Sequence, residues 1–257
     1  MNHQALNSLE AGTSPLGIGV PSRTAIGKVR LVVFLGFLIA LTTAGSCNSE
    51  TIFKSNFDAT AINQPPAPQQ AIGTVTVVGG GVRVAQIPGT NEKGVRFGFG
   101  TGATDAVLQC NLSKPPRDGT YVFSTFLFFP GPGVGGLTTI QFEGGGKPFL
   151  HLDISPSCRA GENDPGNCFR IDDDDSLKFG KYQLNQIFIV QVTLTINESS
   201  TAHVVISGVG ASGEATRAVS PPFRLLARQF SVVRISPTLS ADEQEFFATN
   251  ILVTRKS

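Results

Sequence analysis

The stretch Phe188-Ile189-Val190-Gln191-Val192-Thr193-Leu194-Thr195-Ile196 sets the fold class. Phe188, Val190, Val192, Leu194 and Ile196 fall on one side of an extended chain, and Gln191, Thr193, Thr195 and Asn197 fall on the other. Side chains in a strand alternate faces, so this period of two predicts a half-buried β-strand. Tyr121 to Phe129 (YVFSTFLFF) is apolar at almost every position and predicts a central strand covered on both faces.

Working outward, further strands are expected at Thr74–Val78, Val82–Ile87, Val95–Phe99, Ala106–Leu112, Leu137–Phe142, Phe149–Ile154, Ala202–Ser207, Phe230–Ser236 and Phe246–Thr254. Gly79-Gly80-Gly81, Pro130-Gly131-Pro132-Gly133, Gly144-Gly145-Gly146 and Ser236-Pro237 punctuate them. Only Pro222–Gln229 and Ala241–Glu245 have the makings of a helical turn. Many short strands separated by Gly and Pro turns predict one all-β domain over residues 51–257, a sandwich or jelly roll. No repeat period is visible, which excludes propellers and solenoids.

The chain has 257 residues, 29 Gly and 16 Pro, a net charge of +1, and 19 Phe against two Tyr and no Trp. The Gly and Pro lack the strict period of collagen. Charge is too low and the apolar content too high for a disordered chain. No basic surplus exists to neutralise phosphates, so nucleic acid is not an expected partner.

Residues 1–46 read as an export signal. Arg23, Lys28 and Arg30 precede the uncharged run Leu31–Leu41 (LVVFLGFLIAL), and small residues follow at Ala44, Gly45 and Ser46. The apolar run falls short of the roughly 20 residues of a membrane-crossing helix, although extending it to Ser46 leaves a retained anchor as an alternative. After residue 46 the balance is 17 basic against 18 acidic residues, too neutral for charge to dominate partner choice. Residues 47–57 would serve as anchor and short linker into the first strand.

The run Leu41-Thr42-Thr43-Ala44-Gly45-Ser46-Cys47 resembles a bacterial lipobox, with Ala44 where a Leu usually stands. The resemblance implies cleavage before Cys47 and lipidation of its thiol. Asn48 in place of Asp then implies the outer membrane or surface of a two-membrane host. Ala44-x-Ser46 equally satisfies an ordinary cleavage rule, which would release a soluble secreted protein.

Phe53-Lys54-Ser55-Asn56-Phe57-Asp58 near the start, and Phe246-Phe247-Ala248-Thr249-Asn250-Ile251-Leu252-Val253 near the end, resemble the first and last strands of concanavalin A-like jelly rolls. The likeness implies an all-β fold, a single antiparallel β-sandwich of jelly-roll type in which these two terminal strands pair; the galactose-binding-like jelly roll is the runner-up.

Chemistry is sparse. A glycan hydrolase needs two carboxylates about the scissile bond, and the Glu-x-Asp-x-(x)-Glu run of the glucanase branch is missing. Glu143 and Asp153 lie on neighbouring expected strands, at an unknown separation. Tyr121 and Tyr182 are the two Tyr available for stacking on sugars, and Tyr121 reads as buried. His151-x-Asp153 places an imidazole and a carboxylate on one strand face.

Cys158 and Cys168 bracket a polar loop with two Gly and a Pro, the spacing of a short disulfide in an oxidising compartment. Cys110 shares a face with Leu108 and Leu112 and reads as a buried free thiol. If Cys47 is not acylated, a Cys47–Cys110 bridge is the alternative. The segment Glu162–Asp175 reads as an acidic loop. Asp164, Asp172 and Asp174 are the preferred ligands should it hold calcium, and a solvated turn is the other reading. An EF-hand is excluded, because Leu177 and Gln183 occupy its sixth and twelfth positions.

The expectation is therefore an exported, lipid-anchored envelope protein with a binding or structural-display role and no required cofactor. Its partners would be the membrane, through the lipid, and a glycan or protein ligand. A carbohydrate-active hydrolase and a soluble secreted lectin-like module are the rivals.

Overall fold

The computed structural model describes residues 48–98, 106–114, 117–131, 138–155, 168–172, 174–209, 215–220, 222–237 and 245–256. All of them belong to one unit, residues 47–257. Among the described residues every regular element is a strand. In chain order these are β1 (Ser49–Ser55), β2 (Thr74–Val78), β3 (Val82–Gln86), β4 (Lys93–Phe97), β5 (Val107–Asn111), β6 (Gly119–Phe128), β7 (Thr138–Gly144) and β8 (Lys147–Ser155). There follow β9 (Cys168–Ile171), β10 (Asp174–Lys181), β11 (Ile187–Ile196), β12 (Thr201–Val209), β13 (Ala215–Val219), β14 (Phe223–Arg224), β15 (Val232–Pro237) and β16 (Phe246–Lys256).

Two antiparallel sheets form the jelly-roll sandwich. One runs β13-β12-β11-β6-β16-β4-β3, with β1 added on β16 and β14 on β12; the other runs β10-β9-β8-β7-β15-β5-β2. The expected pairing of the two terminal strands holds, with Phe53 opposite Val253 and Lys54 opposite Leu252. The first strand starts earlier than its sequence suggests, at Ser49, so it consumes most of the expected linker.

Alternation places the core. On β11 the five residues Phe188, Val190, Val192, Leu194 and Ile196 are all buried, as their period requires. Phe129 lies in a ladder of rings, 5.4 Å from Phe246 and 5.9 Å from Phe188, while Phe246 stacks on Phe97 at 4.3 Å. The expectation that β6 is covered on both faces needs correction. Tyr121, Phe123 and Leu127 are buried in the sandwich, whereas Val122, Ser124 and Phe126 on the other face are only partly buried. Phe128 alone on that face is well buried, in a small satellite cluster with Phe247, Ile87 and Ala85.

A bulge keeps β16 in phase. Its pairing with β6 slips between Thr249 and Leu252, and Asn250 takes the left-handed conformation there, φ 51°. Thr125 Oγ1 donates to the Thr249 carbonyl at 3.0 Å, and Thr249 Oγ1 donates to the Lys93 carbonyl at 2.7 Å, so the bulge leaves these buried hydroxyls satisfied. Beyond it Ile251 and Val253 point back into the core.

The edge strands of the two sheets are β3, β2, β10 and β13. The segment after β1 covers two of them: Asn63 and Gln64 bond the backbone of Val84 on β3, and the Pro68 carbonyl accepts from Val75 on β2. At the opposite side β10 meets β13, where an added Cβ on Gly180 would lie 2.3 Å from the Ala218 Cβ.

Two expectations fail here. Pro222–Gln229 forms no helical turn. Its backbone bonds go sideways to β12 instead, with Leu225 N–H donating to the Ser200 carbonyl at 2.8 Å. The acidic segment is not one loop. Phe169 and Ile171 are buried and make β9 a strand, and Asp174 already opens β10, paired with Ile171. Of Ala241–Glu245, residues 241–244 lie outside the described residues.

Candidate functional site

The outward face of the seven-stranded sheet carries a connected set of hydrogen-bonding side chains. It arises from simple alternation. Val75 and Val77 (β2), Leu108 and Cys110 (β5), Val233 and Ile235 (β15), Ile140 and Phe142 (β7), and Leu150 and Leu152 (β8) pack into the core. The residues between them must point outward.

Register then aligns these outward residues across the sheet. Thr76 stands opposite Gln109, Gln109 opposite Arg234, Arg234 opposite Gln141, and Gln141 opposite His151. A second row passes through Ser236, Thr139, Asp153 and Arg170. A third passes through Thr74, Asn111, Val232 and Glu143.

Side chains within this lattice hold one another. Glu143 Oε1 accepts from Gln141 Nε2 at 2.5 Å and lies 2.9 Å from Arg234 Nε. Gln109 Nε2 donates to Asn111 Oδ1 at 2.7 Å, and Thr139 Oγ1 donates to Asp153 Oδ1 at 2.9 Å. The carboxylates lie low: Glu143 and Asp153 are each 6% exposed. The basic side chains lie high, with those of Arg234 and His151 40% and 39% exposed. Buried carboxylates persist only where they are paired and hydrogen-bonded, and this arrangement supplies both.

At the end of the middle row, Asp172 follows β9 in the left-handed conformation, φ 52°. Its Oδ1 accepts the His151 N–H at 2.7 Å and lies 3.6 Å from His151 Nδ1. Thus the carboxylate beside His151 comes from the neighbouring chain segment. Asp153, two residues along β8, is bonded to Thr139 instead.

The separation of Glu143 and Asp153 is now fixed by register. Asp153 faces Thr139, four residues along β7 from Glu143, or roughly 13 Å at the rise of a strand. Glycosidase carboxylates stand about 5–9.5 Å apart, so this pair does not form that device.

Other sequence candidates distribute as follows. Cys47, Cys158 and Asp164 lie outside the described residues. Cys168 is buried at the start of β9. Asp174 is described as a backbone position only, at the start of β10. Among the described residues no group of three His, Cys, Asp or Glu is placed to hold a metal. Cys110 is a buried free thiol, as its alternation predicts, and burial pushes that thiol's pKa far up. Tyr121 and Tyr182 are both buried, so neither offers a ring to a sugar. The Tyr121 hydroxyl instead donates to the Arg117 carbonyl at 2.5 Å.

Sequence reasoning missed Gln109, Gln141, Arg170 and Arg234. Each was visible only as a polar residue on the outward phase of a strand, a signal that every surface strand carries.

No protein-family model and no curated protein matches this sequence. Solved structures do resemble it in shape. An alginate lyase in complex with alginate trisaccharide superposes with a TM-score of 0.51 at 11% identity, over 81% of this chain and 99% of that one. Lectin II from Ulex europaeus gives 0.50 at 12% identity, over 81% and 97%. At such identities the likeness concerns the backbone alone, and with the strand order above it makes this fold a concanavalin A-like jelly-roll sandwich.

Proposed function

We propose that this chain is an exported, lipid-anchored envelope protein that binds a glycan on the outward face of its seven-stranded sheet. The observation that carries the reading is the row Thr76–Gln109–Arg234–Gln141–His151, one polar side chain per strand over five adjacent strands. Gln109, Arg234 and Gln141 are held by Asn111 and Glu143 before any ligand arrives, so binding would freeze few rotamers. Polyhydroxylated ligands suit such a surface, where fixed donors and acceptors set orientation. One neighbour in fold holds an alginate trisaccharide and another is a lectin, which agrees with this reading. With both Tyr buried, the grip is by hydrogen bonding rather than by stacking on tyrosine.

Acylation of Cys47 would leave only Asn48 between the lipidated residue and β1, so the sandwich would stand on the membrane without a stalk. The expected result is partition of the wild-type protein into the detergent phase and loss of that partition in Cys47→Ser. A wild-type protein found wholly in the aqueous phase makes it the secreted alternative. For the ligand, retention on polysaccharide gels should fall in Gln109→Ala and Gln141→Ala. Unchanged retention in both variants would remove this face from the account.

A second reading, a polysaccharide-cleaving enzyme, has one observation in its favour. His151 is an imidazole with a carboxylate at its Nδ1 side, the arrangement that orients a proton-transfer group. Release of new sugar ends by the wild type, abolished in His151→Ala, would favour it. A soluble calcium-dependent lectin would instead require Asp164, Asp172 and Asp174 to share an ion.

A further inference from the structure

We propose that the ligand of this face is a linear acidic polysaccharide lying across the strands, with Arg234 taking one of its carboxylate or sulfate groups. The inference rests on the glycan reading above and adds a direction and a charge. Direction follows from register. The middle row crosses β2, β5, β15, β7 and β8 with one polar side chain on each, at the roughly 4.8 Å spacing of neighbouring strands, so it spans roughly 19 Å. An extended sugar chain laid along that row meets a fresh hydrogen-bonding group at every strand. A single terminal sugar would use only a fraction of it.

Charge follows from depth. Two acids of the face lie beneath it: Glu143 and Asp153 are buried under the neighbours that bind them. In the middle row the ionisable groups that reach the surface are the Arg234 guanidinium and the His151 ring. Among the described residues Asp172 is the one half-exposed carboxylate beside this row, and it is turned to His151. Arg234 meets Glu143 through Nε, which leaves its two terminal nitrogens as the donors a ligand can use. A guanidinium edge matches the paired oxygens of a carboxylate or sulfate. The ion pair at Nε restricts the guanidinium, which lowers the cost of ordering the fork on binding. Arg234 is also central in the row, with two strands on each side, where contact with a chain is most complete.

The test uses the full-length protein in detergent, titrated with polygalacturonate, dextran sulfate, uncharged dextran and single-stranded DNA. One acidic polysaccharide should bind at least about tenfold tighter than dextran, and the tighter of the two identifies carboxylate or sulfate as the charge. Affinity should rise from monomer to pentamer of that sugar. Arg234→Gln should cost about tenfold or more on the acidic polymer, while Arg217→Gln, an exposed arginine of the other sheet, should cost nothing. Arg234→Gln uncovers a buried carboxylate and risks misfolding, so Gln109→Ala serves as the second variant and should weaken long chains more than short ones. Equal binding of dextran, lost in Gln109→Ala but not in Arg234→Gln, would keep the glycan reading and overturn the acidic one. Retention of none of the sugars would overturn both. Binding of DNA as tight as that of the acidic sugars would reduce the effect to general polyanion attraction and overturn the proposal.

Discussion

Asp172 grips His151 through both its backbone and its side chain: its N–H donates to the His151 carbonyl at 2.9 Å, and its Oδ1 accepts the His151 N–H at 2.7 Å. The β8–β9 ladder, which ends with Leu152 opposite Ile171, is thereby extended by one carboxylate standing in for a backbone carbonyl. The left-handed turn at Asp172 makes this reach feasible, and Asp tolerates that conformation better than most residues.

Substitutions at Asp172 should therefore separate. Asp172→Asn keeps an acceptor and a residue at ease with positive φ, and should change urea stability by less than about 0.5 kcal/mol. Asp172→Ala loses the acceptor and strains the turn, and should cost about 1–2 kcal/mol. Equal losses in both variants would mean that charge, not the hydrogen bond, matters.

A calcium site and this clamp make rival claims on Asp172. With the carboxylate committed to His151, the unfolding midpoint in millimolar calcium should equal that in chelator. A ligand of the native state must raise the midpoint. A rise that disappears in Asp172→Asn would assign the carboxylate to calcium, with Asp164 and Asp174 as its companions.

Alkaline pH should expose two buried groups. Burial raises the pKa of both the Cys110 thiol and the Tyr182 phenol, so each keeps its proton in the fold. The unfolded chain loses these protons first as pH rises. Stability is then complete below the ordinary thiol value of about 8.5 and falls above it, more steeply beyond about 10 where tyrosine joins. Cys110→Ala should remove the lower part of that fall in urea titrations at successive pH values. An unaltered pH profile would acquit the thiol.

Thiol counting tests the disulfide. A Cys158–Cys168 bridge would close a short loop and gain roughly 2–3 kcal/mol from that closure. In the lipidated protein, alkylation under non-reducing conditions should find one thiol, Cys110, and only after unfolding. Labelling of native protein, or a peptide joining Cys110 to Cys168, would refute the assignment.

The ring ladder sets the cost of opening the core. Phe129→Ala removes the ring between Phe246 and Phe188 and should cost about 3–5 kcal/mol in the same unfolding assay. Phe126, on the partly buried side of β6, should cost much less on truncation.

The sequence alone determined the alternation, and with it the sandwich. Phe188 to Ile196 fixed which face of β11 is buried, the same period marked Cys110 as internal, and the end-strand patterns anticipated the β1–β16 pairing. The end-strand pairing was implied only by resemblance to a fold, whereas the two burial patterns are local properties, because a strand's two faces are set by residues two apart. The acidic run Asp172–Asp175 misled for the same reason: its charges read as a turn, while the burial of Phe169 and Ile171, a tertiary contact, makes strands on either side of Asp172. The polar row belonged wholly to the tertiary structure. Thr76, Gln109, Gln141, His151 and Arg234 come from five separate strands, and β15 enters between β7 and β5 from far along the chain. Strand order and register are fixed by how the inward faces pack, so no reading of single segments could have placed Arg234 between Gln109 and Gln141.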